Sequence, residues 1–232
     1  LSVVRRLGVE KAVTEVCGPI YTSQSAIDLL ASRAIEAKLN VGKKHGVLAW
    51  HEDRLVYEEH TEEFMRNIAE AQENEALWAR EVIIIAPSMP KKDFTNDVKA
   101  IIDMVGHTAC DPAIAAEGND FLLLSEDMGF RDWAKEAFNI PTTYLQSVLI
   151  SARNEGHLTA KEYCEAINSL VLSGHTYVSL DPNCLMHQAR RNNFIITKEL
   201  KYLFEMIGGP SADINSNTGV LASFIDMLWD HH

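Results

Sequence analysis

Asp111 and Asp127 are the residues on which chemistry is expected to centre. The stretch from Cys110 to Phe130 reads C-D-P-A-I-A-A-E-G-N-D-F-L-L-L-S-E-D-M-G-F. Asp111, followed by Pro112 and a run of good helix formers, has the form of a helix start: Asp as N-cap, Pro at the first helical position. Phe121 to Leu124 is a short apolar run between turn residues. It predicts a strand covered on both faces, as in a parallel sheet. Ser125, Glu126 and Asp127 stand at its carboxyl end. In an α/β layer a helix runs antiparallel to the strand that follows it, so Asp111 and Asp127 are expected to meet at one sheet edge. That edge is where open α/β sheets bind ligands. Carboxylates held close need a cation or a proton between them, and a hard divalent ion with oxygen ligands is the natural partner. Taken singly, each Asp has a plainer role: Asp111 caps its own helix, and Asp127 caps the next, Met128 to Phe138.

The elements that must position these acids follow from periodicity and punctuation. Ile20-Tyr21-Thr22 reads as a short strand, and Ser23 caps a helix running to about Asn40. Asp28 lies in the first two turns of that helix and so near the same edge, although the helix dipole alone favours an acid there. Gly46 to Glu58 reads as a hairpin, V-L-A-W and R-L-V-Y around a turn at His51-Glu52-Asp53. Its Trp50 and Tyr57 are either base-stacking residues or the hydrophobic face of the hairpin. Thr61 to Val82 is a long helix with acids in its first turn, Ile83 to Ile85 is β-branched, and Asp93 to Val105 is helical. Ile140 to Tyr144 is the expected last parallel strand. Beyond it the pattern turns mainly helical: Leu145 to Asn154, Thr159 to Ser173 with Glu162 at the capping-box position, a helix from Asp181-Pro182 to about Arg190, Phe194 to Ile207 and Thr218 to Trp229. A strand-like Tyr177 to Leu180 interrupts them.

D-P-A-I-A-A, followed after a turn by F-L-L-L-S-E-D-M-G-F, resembles the D-x-x-I-A-A and strand-[ST]-x-D-x-x-F signature of PIN domains, a metal-dependent ribonuclease superfamily. Asp111 and Ile114 match the first half; Ser125, Asp127 and Phe130 match the second. Asp28, in P-I-Y-T-S-Q-S-A-I-D-L-L, stands where the family more often has Glu. The resemblance implies a three-layer α/β/α, Rossmann-like parallel sheet over residues 1–145 with the hairpin as an insertion. It leaves 146–232 as a helical extension of the kind seen in some bacterial PIN-like proteins. It further implies that Asp28, Asp111 and Asp127 hold Mg²⁺ or Mn²⁺, with Glu126 as a supporting or alternative ligand. Ser125 would orient a carboxylate or the attacking water. The implied activity is endonucleolytic cleavage of RNA; the alternative is a catalytically inactive PIN-like module for protein contact or RNA placement. PIN domains open with a strand ending in Asp, and none precedes Leu1. The chain begins with Leu rather than Met, so that strand is expected upstream.

The 232 residues carry a formal net charge of −12, which argues against a general phosphate-backbone binder, since such binding comes from basic surfaces. A nuclease with an acidic metal site and a local basic patch is still compatible. Arg33, Lys38, Lys43, Lys44 and Arg190-Arg191 are the available cations. The expected partners are RNA and either another protein or a second copy of the chain. Cys17, Cys110, Cys164 and Cys184 show no C-x-x-C, the usage of free thiols in a reducing cytoplasm. His107-x-x-Cys110 and Cys184-x-x-His187 supply zinc-type ligands, but halves so distant in sequence make weak evidence for one site. No apolar run approaches the ~20 residues of a membrane span. A receiver-like domain is disfavoured by the lack of an acidic pair at the end of a first strand.

Overall fold

Side-chain caps fix most of the helix starts, and the computed structural model shows where each falls. It describes residues 1–51, 53–175, 178–208 and 214–230. Two helices, α1 (Ser2–Leu7) and α2 (Glu10–Cys17), open the chain. They are followed by β1 (Tyr21–Thr22) and α3 (Gln24–Asn40), which Ser23 caps by accepting from Ala26 N–H. Next come β2 (Gly46–His51), β3 (Arg54–Glu59) and α4 (Glu62–Val82), the last capped by Thr61. After β4 (Ile84–Ile85), Thr95 caps α5 (Asn96–Val105), and α6 (His107–Asn119) leads to β5 (Leu123–Leu124). Asp127 caps α7 (Met128–Phe138), which runs to β6 (Thr142–Thr143). The remainder is helical among the described residues: α8 (Leu145–Asn154), α9 (Ala160–Leu172), α10 (Pro182–Arg191), α11 (Lys198–Ile207) and α12 (Ile214–Trp229).

These elements form two units. The first holds Leu1 and Pro19–Thr143, the second Ser2–Gly18 and Tyr144–His232. Ser2–Gly18 is grouped with the C-terminal helices. Ala12 and Val13 supply the buried residues of α2, which lies against α8.

In the first unit the described strands make three separate ladders: β1 with β4 and β5 with β6, both parallel, and β2 with β3, antiparallel. The strands are short; of the apolar run Phe121 to Leu124, only Leu123 and Leu124 pair, with Thr142 and Thr143. Tyr21 of β1 stacks on Phe121 ahead of β5, ring centroids 4.4 Å apart. Among the described residues three small cores hold the helices down. One is Ile27, Trp78, Ala79 and Ile83 between α3 and α4; Val98, Ile102, Cys110 and Ile114 join α5 to α6; Ala113, Ala116, Leu123, Ala134 and Ile140 join α6 to α7 and the β5–β6 ladder. On the β2–β3 pair, Leu48 stands opposite Tyr57 and Trp50 opposite Leu55. All four are exposed.

The second unit has a larger core, in which Val171, Leu185, Ala189, Leu200, Leu203 and Phe224 meet. Thr159 and Glu162 form the reciprocal capping box at the start of α9. Asp181 caps α10 with Pro182 at its first position. The strand expected at Tyr177 to Leu180 lies partly outside the described residues; residues 178–180 form no strand, and Gln146 instead binds both Ser179 N–H and Ser179 C=O, at 2.9 and 2.6 Å.

Candidate functional site

Asp111 is not the N-cap of its helix. Gly106, at φ 91°, ends α5 by donating to Ile102 C=O and opens α6 directly. The helix therefore begins a full turn before Asp111 and carries Pro112 inside it. A glycine free to take positive φ provides the break that an Asp–Pro start would otherwise have provided. Asp111 lies one turn from Ile114 and Ala115, both buried, so its carboxylate is set by tertiary packing, not by capping.

That half-buried carboxylate is held by one hydroxyl, with two more close by. Ser25 Oγ donates to Asp111 Oδ2, and Ser23 Oγ stands 3.0 Å from Ser25 Oγ. Ser88 Oγ reaches Asp111 C=O at 3.4 Å. Ser23 and Ser25 follow β1 and Ser88 follows β4, so the carboxyl ends of one parallel pair gather these groups beside α6. Among the described residues Asp111 has no cationic partner, and its Oδ1 has no hydrogen-bond partner. A hydrogen bond to a charged group contributes roughly 1.5–3 kcal/mol, while removing a carboxylate from water costs several. One hydroxyl therefore leaves room for a cation to stabilise the group further. In the sequence Ser23 reads only as a helix cap, and Ser25 and Ser88 carry no signal beyond the S-Q-S directly after a strand.

Asp127 is the N-cap of α7, its Oδ1 accepting from Phe130 N–H at 2.9 Å. It is exposed. Ser125 accepts from Asp127 N–H at 3.2 Å and donates its own N–H to Thr143 C=O. Arg131 Nη1 donates to Ser125 C=O at 2.6 Å. Asp28 is exposed on α3 and accepts from Gln24 Nε2 at 2.8 Å. No hydrogen bond joins Asp28, Asp111 and Asp127 to one another. Among the described residues no three His, Cys, Asp or Glu side chains gather as a metal-binding group.

A further acid, Glu75, lies on α4. Its Oε1 is shielded from solvent and has no hydrogen-bond partner among the described residues. Its signal in the sequence was slight, an acid three and four residues before the buried Trp78 and Ala79.

The zinc-type residues go elsewhere. Cys110 is packed with Val98, Ile102 and Ile114, and burial, followed by the neighbouring Asp111, raises its thiol pKa. Cys184 Sγ lies 2.9 Å from Cys164 Sγ in the other unit, both free thiols. His187 Nε2 is 3.6 Å from Glu165 Oε1.

The donors on this part of the first unit are carboxylate and hydroxyl oxygens, the chemistry that Mg²⁺ and Mn²⁺ select. No helix among the described residues is long and apolar enough to cross a membrane. No curated protein and no solved structure matches the chain. The family model described as a PIN domain associated with the TPR-GreAB-C-PIN system matches residues 1–136, more than half of the chain, and the chain belongs to this family of PIN domains.

Proposed function

We propose that the chain is a Mg²⁺- or Mn²⁺-dependent endoribonuclease whose metal is held around Asp111. PIN domains are in general linked to nuclease or RNA-related function and are typically dependent on a divalent metal. The observation that carries the reading here is the half-buried Asp111 carboxylate, met by the Ser25 hydroxyl, with no cation beside it among the described residues and its Oδ1 without a hydrogen-bond partner. In this reading Asp111, Asp127 and Asp28 are the ligands, with Glu126 supporting or replacing one of them. Ser25 fixes the rotamer of Asp111, and Ser125, tied to Asp127 N–H, sets the direction of the second carboxylate. The ion, when bound, supplies a water of lowered pKa and neutralises charge on the phosphodiester being cut. The two parallel ladders then belong to one three-layer α/β/α sheet, with β2–β3 as an insertion and residues 146–232 as the extension. The exposed Trp50 and Tyr57 belong to that insertion.

The test is cleavage of a single-stranded RNA by the full chain with Mn²⁺, with Asp111→Asn beside it. Metal-dependent cleavage that Asp111→Asn abolishes supports the reading; cleavage equal in both proteins sinks it.

A second reading, a catalytically silent module for protein contact or RNA placement within the larger system that the family description names, is favoured by two contacts. Asp127 is engaged as a cap, and Asp28 points to Gln24 on an exposed face. It predicts RNA binding without cleavage, unchanged by Asp127→Ala.

A further inference from the structure

The second unit contains a cavity of about 770 Å³, within the range of small-molecule sites, lined on one side by Arg6 to Val9 and on the other by α9 and α10. Arg6, Lys161, Arg190 and Arg191 line it, with His187 among them. The carboxylates there are Glu162 and Glu165. Four cations against two anions leave a positive balance in a chain whose net charge is −12. Both anions are engaged: Glu162 accepts from Thr159 N–H and Oγ1 at 2.8 and 2.7 Å, and Glu165 faces Lys161 at 3.9 Å and His187 at 3.6 Å.

The cations are less committed. Arg6, Arg190 and Arg191 form no hydrogen bond or ion pair through their side chains among the described residues, and Arg191 has only the electrostatic influence of Glu199. The last turn of a helix favours basic residues by its dipole, which accounts for Arg190 and Arg191 being at the end of α10. Arg6 stands likewise in the last turn of α1, but the dipole does not account for Lys161, in the first turn of α9, or for these helix ends facing the same space. His187 Nε2 is shielded from solvent there and has no hydrogen-bond partner among the described residues. Among the described residues no Phe, Tyr or Trp lines the cavity, and the chemistry on offer is charge and hydrogen-bond donation.

We infer that this cavity is a binding site for phosphate groups, which Arg6, Lys161, Arg190 and Arg191 receive as hydrogen-bonding cations. Guanidinium forks suit phosphate oxygens. The phosphates come either from a small phosphate ester or from an RNA strand. The inference does not rest on the metal site proposed above.

Calorimetry on the full chain, without divalent ions, uses inorganic pyrophosphate and a single-stranded RNA of about ten nucleotides. Arg190→Gln/Arg191→Gln is expected to weaken binding of the probe at least tenfold, and Arg6→Gln to weaken it in the same direction. Lys198→Gln/Lys201→Gln removes the same charge from exposed positions outside the cavity and is expected to leave it intact. If the RNA is the source, it binds more tightly than pyrophosphate, and its salt slope falls by roughly 0.7 for each arginine removed. If a small ester is the source, pyrophosphate binds at least as tightly. Absence of binding by both probes, or equal loss in the lysine control, overturns the proposal.

Discussion

Each unit contains an Asp–Pro pair, and the two pairs do different work. At Asp181-Pro182 the side chain accepts from Asn183 N–H at 2.7 Å, the proline occupies the first helical position, and Arg153 lies 3.4 Å from the carboxylate. The cap is satisfied within its own helix, and the carboxylate also has a cation beside it. At Asp111-Pro112 the same dipeptide sits inside α6, the proline removes a donor from the helix interior, and the carboxylate is met by a hydroxyl from α3. A helix cap is accounted for by its own helix. Asp111 is accounted for only by what surrounds it, and a position that accepts an interior proline and a half-buried acid is one where stability gives way to another requirement.

The comparison is sharpened most by exchanging the acids. Asp111→Asn should lower Mn²⁺-dependent RNA cleavage by at least about 100-fold, some 2.7 kcal/mol of barrier, with the unfolding midpoint little changed. Asp181→Asn should leave cleavage intact. Equal activity losses would remove the distinction between the two sites. The prolines come next. Pro112→Ala restores a helix donor and should stabilise the first unit by roughly 1–3 kcal/mol in denaturant titrations. Pro182→Ala, where no donor is missing, should cost less than about 1 kcal/mol. A destabilising Pro112→Ala would mean that the proline sets the path of α6. Asp181→Ala should then cost about 1 kcal/mol, read from the second unit's transition.

The smallest effect is one of pH. Hydrogen bonds from Thr159 hold Glu162 below the ordinary carboxylate value. A carboxylate depressed on folding contributes stability above its unfolded value, near 4.3, and loses it as pH falls through the folded value. The gap in melting temperature between the parent protein and Glu162→Gln should thus be present at neutral pH and close only in acid. A gap that persists below pH about 3 would place the effect in packing and not in the capping box.

These cases also show what was legible in the sequence. Caps written in local chemistry were readable: Ser23, Thr61, Thr159 with Glu162, and Asp181-Pro182 all start helices where their side chains predict. The PIN relationship was readable too, because Asp111, Ile114, Ser125, Asp127 and Phe130 keep their spacing whatever the helix boundary. The start of α6 was not, because Gly106 ends one helix and begins the next without a linker, and propensity cannot rank two adjacent starts. Nor was the hydroxyl environment of Asp111, since Ser25 and Ser88 meet it across 86 and 23 residues of chain. The affiliation of Ser2–Gly18 with the C-terminal helices is of the same kind: amphipathic spacing defines a face and not the surface it will cover.

The central claim, that Asp111 belongs to a metal site, is tested most directly by Mn²⁺ titration calorimetry on this chain and on Asp111→Ala/Asp127→Ala. The account predicts Mn²⁺ binding by the parent protein that the double substitution eliminates while the fold survives. Undiminished binding in the double variant, or a parent protein that takes up no Mn²⁺, would contradict it.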